Sequence, residues 1–168
     1  PSQRAIGIMA GGEQAFVHAI EGVEDRLDLG KEDLEKIQLQ KEDIVIGIAA
    51  SGRTPYVIGA LQYANAVGAL TIAVTCNDEG RMNQIAQIAI AAVTGPEVIS
   101  GSTRMKAGTA QKQILNMLST GTMILVGRVY QNYMGYVQIN NQKLEERARQ
   151  ILVKILDVSY DDACSLLS

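Results

Sequence analysis

The sequence has 168 residues, of which 47% are hydrophobic and 20% charged, which is enough for one substantial core but scarcely for two. Its net charge of −3 offers no broad basic surface for nucleic acid or an anionic membrane, and its apolar runs are too short to cross a bilayer. With no signal-peptide core at the start, a cytoplasmic location is expected, and two cysteines and one histidine argue against metal catalysis, a zinc site or a disulfide framework.

Apolar patterning predicts the first elements in chain order. Ala5 to Ala10 is a short apolar run that ends at two glycines and predicts a strand. Residues 13–27 predict a helix, since apolar side chains recur at helical spacing. This stripe comprises Phe16, Ile20, Val23 and Leu27. The charged, leucine-spaced segment from Lys31 to Gln40 predicts a short surface helix.

Residues 44–58 predict a strand, a phosphate-binding loop and a helix. The branched apolar run at its start is typical of a strand that is covered on both faces. Small residues around Ser51 and Gly52 leave room for a ligand at the backbone, and Pro55 fits the first turn of a helix whose amides favour an anion. Ser51 and Thr54 add hydroxyl donors. Because no Gly-Lys-Ser/Thr pattern follows, the loop predicts a phosphate monoester rather than a nucleotide as ligand.

Helices and strands continue to alternate along the rest of the chain. The predicted strands are Leu70 to Thr75 and Ile88 to Val93, and the predicted helices are about Thr54 to Val67, Met82 to Ala86, Arg104 to Val126, Asn140 to Leu156 and a last one from Ser159. This alternation predicts a parallel sheet with helices on both faces and ligands at the carboxyl ends of its strands. The third of these helices is apolar nearly all round after Ile114, so we expect it to be buried against the sheet or another subunit.

Residues 95–112 form a second candidate anion site. The segment brings hydroxyls, amides after glycine, Arg104 and Lys106 to a predicted helix N-terminus. Basic residues in a first turn oppose the helix dipole, and a bound anion would give a reason for them. The alternative is a serine-capped helix whose basic residues point to solvent.

Among the acids of the predicted helix over residues 13–27, Glu24 lies nearest the apolar stripe. Partial burial would raise the proton affinity of this carboxyl, as general acid–base work requires. Periodicity alone favours a carboxylate on a solvated helix flank instead. We expect His18 to lie on a helix surface, and Cys76 to be a small buried hydrophobe rather than a cleft residue.

Four segments resemble the N-acetylmuramic acid 6-phosphate etherases of the sugar isomerase (SIS) domain superfamily. They are IMAGGE at 8–13, EGVED at 21–25, IGIAASGRTPY at 46–56 and GPEVISGSTRMKAGTAQK at 95–112. The resemblance runs from about Ala5 to the C-terminus and implies a flavodoxin-like SIS fold with five parallel strands, a homodimer and a cytoplasmic enzyme of cell-wall recycling without metal or cofactor. The implied reaction converts N-acetylmuramate 6-phosphate and water to N-acetylglucosamine 6-phosphate and D-lactate.

The resemblance also implies roles for individual residues. Glu24, the second acid of EGVED, matches one of the family's two catalytic glutamates. Ser51 and Thr54 match hydroxyl positions that bind sugar phosphate in SIS domains, and the glycine between them permits close approach. The expected substrate and phosphate contacts are Ser51, Gly52, Thr54, Glu97, Ser102 and Lys106.

The sequence also departs from the family pattern. The family's first strand and its other catalytic glutamate precede anything in this sequence, so we expect the latter part of a longer protein that is not competent alone. The segment over residues 131–136 differs from the family's usual run, at Gln131, Tyr133, Gly135 and Tyr136. We predict a partial SIS domain over residues 1–139 and the start of a small helical domain over residues 140–168.

Two other classes of function share these features. A phosphosugar aldose–ketose isomerase would use the same phosphate loops and the same proton abstraction at C2, but would release no lactate. A non-catalytic sensor would bind the sugar phosphate and regulate a partner protein.

Overall fold

The computed structural model describes residues 5–167, which divide into two compact units. One unit ends at Leu115 and the other begins at Asn116. The first contains a parallel sheet with its helices, and the second contains a small hairpin and two helices. Among the described residues, no helix is long and apolar enough to span a bilayer.

The sheet has three parallel strands in the order β1 (Ile44–Ile48), β2 (Leu70–Thr75) and β3 (Ile88–Ala91). Strand β1 begins at Ile44 as predicted, the bounds of β2 match the prediction, and β3 ends two residues early. Because parallel strands leave helices to cover the faces, β2 is central and almost fully buried. The α/β class with a parallel sheet is thus confirmed, with three strands in the described residues where the resemblance implied five.

Helices α1 (Leu27–Lys36), α2 (Pro55–Val67) and α3 (Arg81–Ile85) belong to this unit. Helix α2 begins at Pro55 and ends at Gly68, whose φ of 91° allows its amide to bond the last turn. A Cβ at Gly47 would lie 2.7 Å from Val57, so α2 packs closely on β1. The two buried clusters of this unit consist of Leu34, Leu39, Ile58, Leu61, Ala64, Ala69, Ala73 and Met82.

Two predictions for residues 5–27 are wrong. Residues 5–9 have no regular structure and are exposed, where a strand was expected. The expected helix over residues 13–27 is replaced by a short 3₁₀ helix (Gly12–Phe16) and a series of turns. Helical spacing alone does not hold a helix without a surface to pack on, and Phe16 of the stripe is 80% exposed. Gly22, with φ of 77°, also interrupts the run.

The prediction that β1 is covered on both faces is also wrong. Its alternate residues Ile44, Ile46 and Ile48 are 58%, 37% and 39% exposed, while Gly47 between them is buried. The strand lies at an edge of the sheet and one of its faces stays open in this chain. A continuous apolar run indicates what a strand can pack against, and the sequence alone does not say whether that surface is present.

Helix α4 (Lys106–Leu125) lies within the predicted range, and of the two surfaces expected to bury it, this chain supplies little, which leaves another subunit as the alternative. Only Ala107 and Ile114 are buried among its residues. Met117 is 64% exposed and Leu125 is 88% exposed, so the apolar second half of the helix is not covered by this chain.

The second unit contains a hairpin of β4 (Val129–Tyr130) and β5 (Tyr133–Met134), followed by α5 (Gln142–Leu156) and α6 (Tyr160–Leu167). The hairpin occupies the segment that departs from the family pattern, and Gln131 turns it with φ of 51°. Asn141 caps α5 by accepting a bond from Leu144 N (3.0 Å), and Ser159 caps α6 by accepting from Asp162 N (3.1 Å). Glu145 and Arg149, four residues apart, form an ion pair on α5.

Candidate active site at the carboxyl edge of the sheet

The loop after β1 continues the pairing of β1 with β2 before it turns outward. Ala49 N donates to Val74 O (3.1 Å), and Cys76 N donates to Ala50 O (2.9 Å). Ser51 follows at once, is exposed, and its Oγ accepts a bond from Arg53 N (3.2 Å). The predicted phosphate loop therefore presents a hydroxyl at the carboxyl edge of the sheet, where ligands bind in α/β folds.

Gly52 is buried, with φ of 67°. A Cβ at this position would lie 2.7 Å from Gly80 Cα, and Gly52 O accepts a bond from Met82 N (2.9 Å). The sequence predicted a glycine that allows a ligand to approach. In the structure, the missing side chain makes room for the loop between β2 and α3, so a packing reason exists for this glycine as well.

Thr54 stands before the first residue of α2, and its side chain caps no amide of that helix. Its hydroxyl is therefore not used by the fold in the way an N-cap threonine usually is. Pro55 has no amide hydrogen to offer, and Tyr56 N donates to Glu24 O (3.0 Å). The main chain of Glu24 is thereby held at the beginning of α2, next to the predicted phosphate loop.

Glu24 lies in a turn and its side chain is exposed. The expected partial burial on a helix stripe is wrong, because the helix itself is absent. The structure joins Glu24 to the loop of Ser51 through the main chain of Tyr56, which no periodicity in the sequence indicated.

A second loop, between β2 and α3, supports the first. Asn77 Nδ2 donates to Ser51 O (3.4 Å), and Asn77 O accepts from both Thr75 Oγ1 (3.0 Å) and Asn83 Nδ2 (2.8 Å). Thr75 is fully buried, and its single hydroxyl proton is shared between Asn77 O and Asn83 Oδ1 (3.0 Å). No motif in the sequence predicted this hydrogen-bond network, although amides next to a strand end were a usable signal.

Glu97 caps α4 from nine residues before its first residue. Its carboxylate accepts bonds from Lys106 N and Ala107 N, both at 3.0 Å, and these bonds hold the pKa of Glu97 below its ordinary value. Lys106 Nζ donates to Pro96 O (2.9 Å). The helix N-terminus that was predicted to hold a bound anion thus holds a carboxylate of the chain itself.

The same helix start lies against the end of β2. Cys76 is half-buried and its Sγ donates to Ala107 O (3.8 Å). Burial, and then the nearby charge of Glu97, raise the pKa of the Cys76 thiol. The contact with Cys76 places the start of α4, which belongs to the motif over residues 95–112, at the same carboxyl edge of the sheet as Ser51.

The remaining residues considered in the sequence do not take part in the contacts around Ser51, Asn77 and Glu97. Ser102 lies in the turn before α4, partly exposed, where its N–H donates to Ile99 O (3.1 Å). Arg104 is exposed. His18 is exposed in the bend after the 3₁₀ helix rather than on a helix. No group of three or more His, Cys, Asp or Glu side chains within residues 5–167 is arranged to hold a metal ion.

Comparison with known proteins supports the resemblance seen in the motifs. A family model described as the glucokinase regulatory protein N-terminal SIS domain matches residues 1–65. The N-acetylmuramic acid 6-phosphate etherase of Francisella tularensis subsp. holarctica (strain LVS) is 56% identical over 158 residues, which cover 94% of this chain and 54% of that protein. N-acetylmuramic acid 6-phosphate etherase 1 of Enterococcus faecalis is 56% identical over 161 residues, and the etherase of Bacillus pumilus is 53% identical over 162 residues. Each of these two alignments covers 96% of this chain and 54% of the relative.

The chain thus spans about half the length of the curated relatives that it matches. As its sequence motifs predicted, it is similar over nearly all of its length to N-acetylmuramic acid 6-phosphate etherases and carries an SIS-type sequence at its beginning.

Proposed function

We propose that the protein to which this chain belongs is an N-acetylmuramic acid 6-phosphate etherase. The observation that carries the proposal is the bond from Tyr56 N to Glu24 O, which joins the main chain of the predicted catalytic residue to the first turn of the helix after the predicted phosphate loop. The identity of 53–56% to named etherases over about 95% of the chain supports the same substrate class.

The phosphate of the substrate would bind at the loop after β1. Pro55 lacks an amide hydrogen and the amide of Tyr56 is engaged by Glu24, so the first turn of α2 has fewer free donors than an ordinary anion-binding helix. We therefore assign most of the phosphate contact to the hydroxyls of Ser51 and Thr54. Hydrogen bonds from hydroxyls to a phosphate are charge-assisted and correspondingly strong.

The proposed chemistry is an elimination followed by a hydration, which makes the enzyme a carbon–oxygen lyase. In the open-chain sugar the aldehyde acidifies the proton on C2, and a carboxylate removes it. The C3–oxygen bond then breaks, and the oxygen leaves with D-lactate as it takes up a proton. Water adds across the resulting double bond, with its hydroxyl on C3 and a proton on C2, which yields N-acetylglucosamine 6-phosphate. Two carboxyl groups suffice for these transfers, and Glu24 is proposed as one of them.

We further propose that the protein is a cytoplasmic homodimer. The exposed apolar side chains of α4, including Met117, Ile124 and Leu125, support a second copy as the surface that covers this helix. An SIS domain over residues 1–139 and a helical segment from residue 140 remain the proposed functional division.

A lactate assay on the native protein tests the function. N-acetylmuramate 6-phosphate should yield D-lactate in equal amount to N-acetylglucosamine 6-phosphate, and Glu24→Gln should abolish most of this release because the amide cannot move the proton. Glu21→Gln is the matched control, since it changes a neighbouring acid of the same segment. Lactate release that is unchanged in Glu24→Gln would overturn the assignment of Glu24. Isomerisation of fructose 6-phosphate without lactate release would favour the aldose–ketose isomerase instead.

A further inference from the structure

Tyr56 is the residue of α2 that contacts both α1 and the Glu24 turn. Its side chain is only 7% exposed, and its hydroxyl donates to Asp33 Oδ2 of α1 (2.7 Å). Its amide donates to Glu24 O (3.0 Å). One residue in the first turn after the phosphate loop therefore holds two separate parts of the chain through two different atoms.

The bond between Tyr56 and Asp33 is charge-assisted. Lys36 Nζ donates to the other carboxylate oxygen of Asp33 (2.7 Å). Burial acts to raise the pKa of Asp33, but the bonds from Lys36 and Tyr56 outweigh it and hold that pKa below its ordinary value. Burial, followed by the nearby Asp33, raises the pKa of Tyr56. At neutral pH the tyrosine thus keeps its proton and the carboxylate keeps its charge, which favours a strong hydrogen bond.

Helix α1 connects Asp33 to the turn that contains Glu24. The helix begins at Leu27, three residues after Glu24, and its backbone touches that of α2 where Gly30 and Gly59 leave no Cβ between them. A Cβ at Gly59 would lie 2.8 Å from the carbonyl carbon of Leu27. Asp33 lies in the following turn of α1, so its bond with the Tyr56 hydroxyl adds a second contact between the two helices.

We propose that Tyr56, through its hydroxyl bond to Asp33, is a positioning residue that sets Glu24 against the phosphate loop. This inference rests on the proposed function. A displacement of about 1 Å at a catalytic group can lower the rate about 100-fold while substrate binding is kept, since the phosphate contacts of Ser51 and Thr54 are not part of this linkage. The hydroxyl of Tyr56 therefore affects kcat rather than the affinity for the sugar phosphate.

The test compares Tyr56→Phe with variants of its partner in the native protein. Tyr56→Phe removes the hydroxyl but keeps the ring and the amide, and we expect a fall in kcat of about 10- to 100-fold with the dissociation constant for the sugar phosphate within about twofold. Asp33→Ala should reproduce this fall. Asp33→Asn should restore most of kcat, because its amide oxygen still accepts the hydrogen bond.

Thr71→Val is the matched control for stability alone. Thr71 is fully buried and its hydroxyl donates to Asn65 Oδ1 (2.8 Å), near the amino end of β2 and away from the loops of the candidate site. This variant should lose stability but keep kcat. An equal fall of kcat in Thr71→Val, or a kcat for Tyr56→Phe within twofold of the unaltered protein, would overturn the positioning role.

Hydrogen exchange separates this inference from the proposed function. In Tyr56→Phe the amide of residue 56, which bonds Glu24 O, should exchange about tenfold faster than in Thr71→Val, because the Glu24 turn opens locally. This readout needs no turnover. If the unaltered protein released no lactate, the proposed function would fail, while unchanged exchange at residue 56 would overturn the positioning role itself.

Discussion

Replacing Gly59 by alanine is expected to separate α1 from α2 and destabilise the first unit. Gly59 lies at the crossing of the two helices, where a Cβ would overlap Leu27 O and lie 2.8 Å from the carbonyl carbon of Leu27. Ordinary van der Waals contact begins near 3.4 Å. Both opposing atoms belong to the backbone, so no side chain can rotate away, and the first turn of α1 must shift to admit the methyl group.

The size of the effect follows from two opposing contributions. Overpacking usually costs about 1–3 kcal/mol, and we take about 3–4 kcal/mol here because the clash is with main chain. Alanine favours an interior helical position over glycine by about 1 kcal/mol, which offsets part of that cost. The net loss in the free energy of unfolding should be about 2–3 kcal/mol.

Urea unfolding followed by circular dichroism measures this loss, with Gly108→Ala as the matched control. Gly108 also lies in a helix, but a Cβ there would meet nothing closer than Thr103 O at 3.5 Å. We expect this control to gain about 0.5–1 kcal/mol from helix propensity alone. A Gly59→Ala protein as stable as the unaltered one would refute the close crossing of α1 and α2. It would also refute the inferred link from Asp33 through α1 to Glu24, which depends on that crossing.

Two further substitutions test the candidate site. Ser51→Ala should weaken binding of a sugar phosphate by about 1–3 kcal/mol but leave an unphosphorylated analogue unaffected, as measured by calorimetry, and equal losses for both ligands would contradict a phosphate contact. For Glu97, the folded-state pKa is lowered by the α4 amides, so its stabilising effect is present above the ordinary carboxyl pKa of 4.5 and is lost as the pH falls through the lower folded value. Glu97→Gln should remove this part of the acid sensitivity, as measured by thermal melts of both proteins between about pH 6 and pH 2. If the variant and the unaltered protein lost stability in the same way over this range, the cap would be unimportant.

The elements that sequence predicted well have local signals at both ends. Helix α2 begins with a proline and is capped by Gly68, which adopts the left-handed conformation that terminates helices. Strand β2 consists of residues that favour strands and lies between this glycine and the turn after Thr75. Because those signals act within a few residues, their physical effect does not depend on the rest of the fold.

The failures begin where structure depends on a distant surface. Residues 13–27 have the spacing of an amphipathic helix, but the described chain covers only part of their apolar stripe, and Phe16 and Leu27 are 80% and 47% exposed. Strand β1 has the composition of a fully covered strand, but three of its five residues are exposed. Periodicity predicts which side chains share a face, and it carries no information about whether that face has a partner.

The candidate site shows the same division between residue types and their arrangement. Motifs identified Ser51, Thr54 and Glu24 as residues with suitable chemistry, but Glu24 was assigned to a helix that does not form. Its place next to the predicted phosphate loop is marked by a main-chain bond to Tyr56, 32 residues further along the sequence. A backbone amide has no side-chain signature, so only the tertiary structure could reveal that link.

Glu97 makes a related point about anion sites at helix N-termini. Basic residues at the start of α4 predict an external anion, and the structure supplies an internal one from a loop nine residues earlier. Both interpretations satisfy the same electrostatic requirement, since a helix N-terminus is stabilised by any nearby negative charge. A sugar phosphate could bind the amides of Lys106 and Ala107 only by displacing the Glu97 carboxylate. We therefore keep the loop of Ser51, which is exposed and whose hydroxyl caps no helix, as the proposed phosphate site.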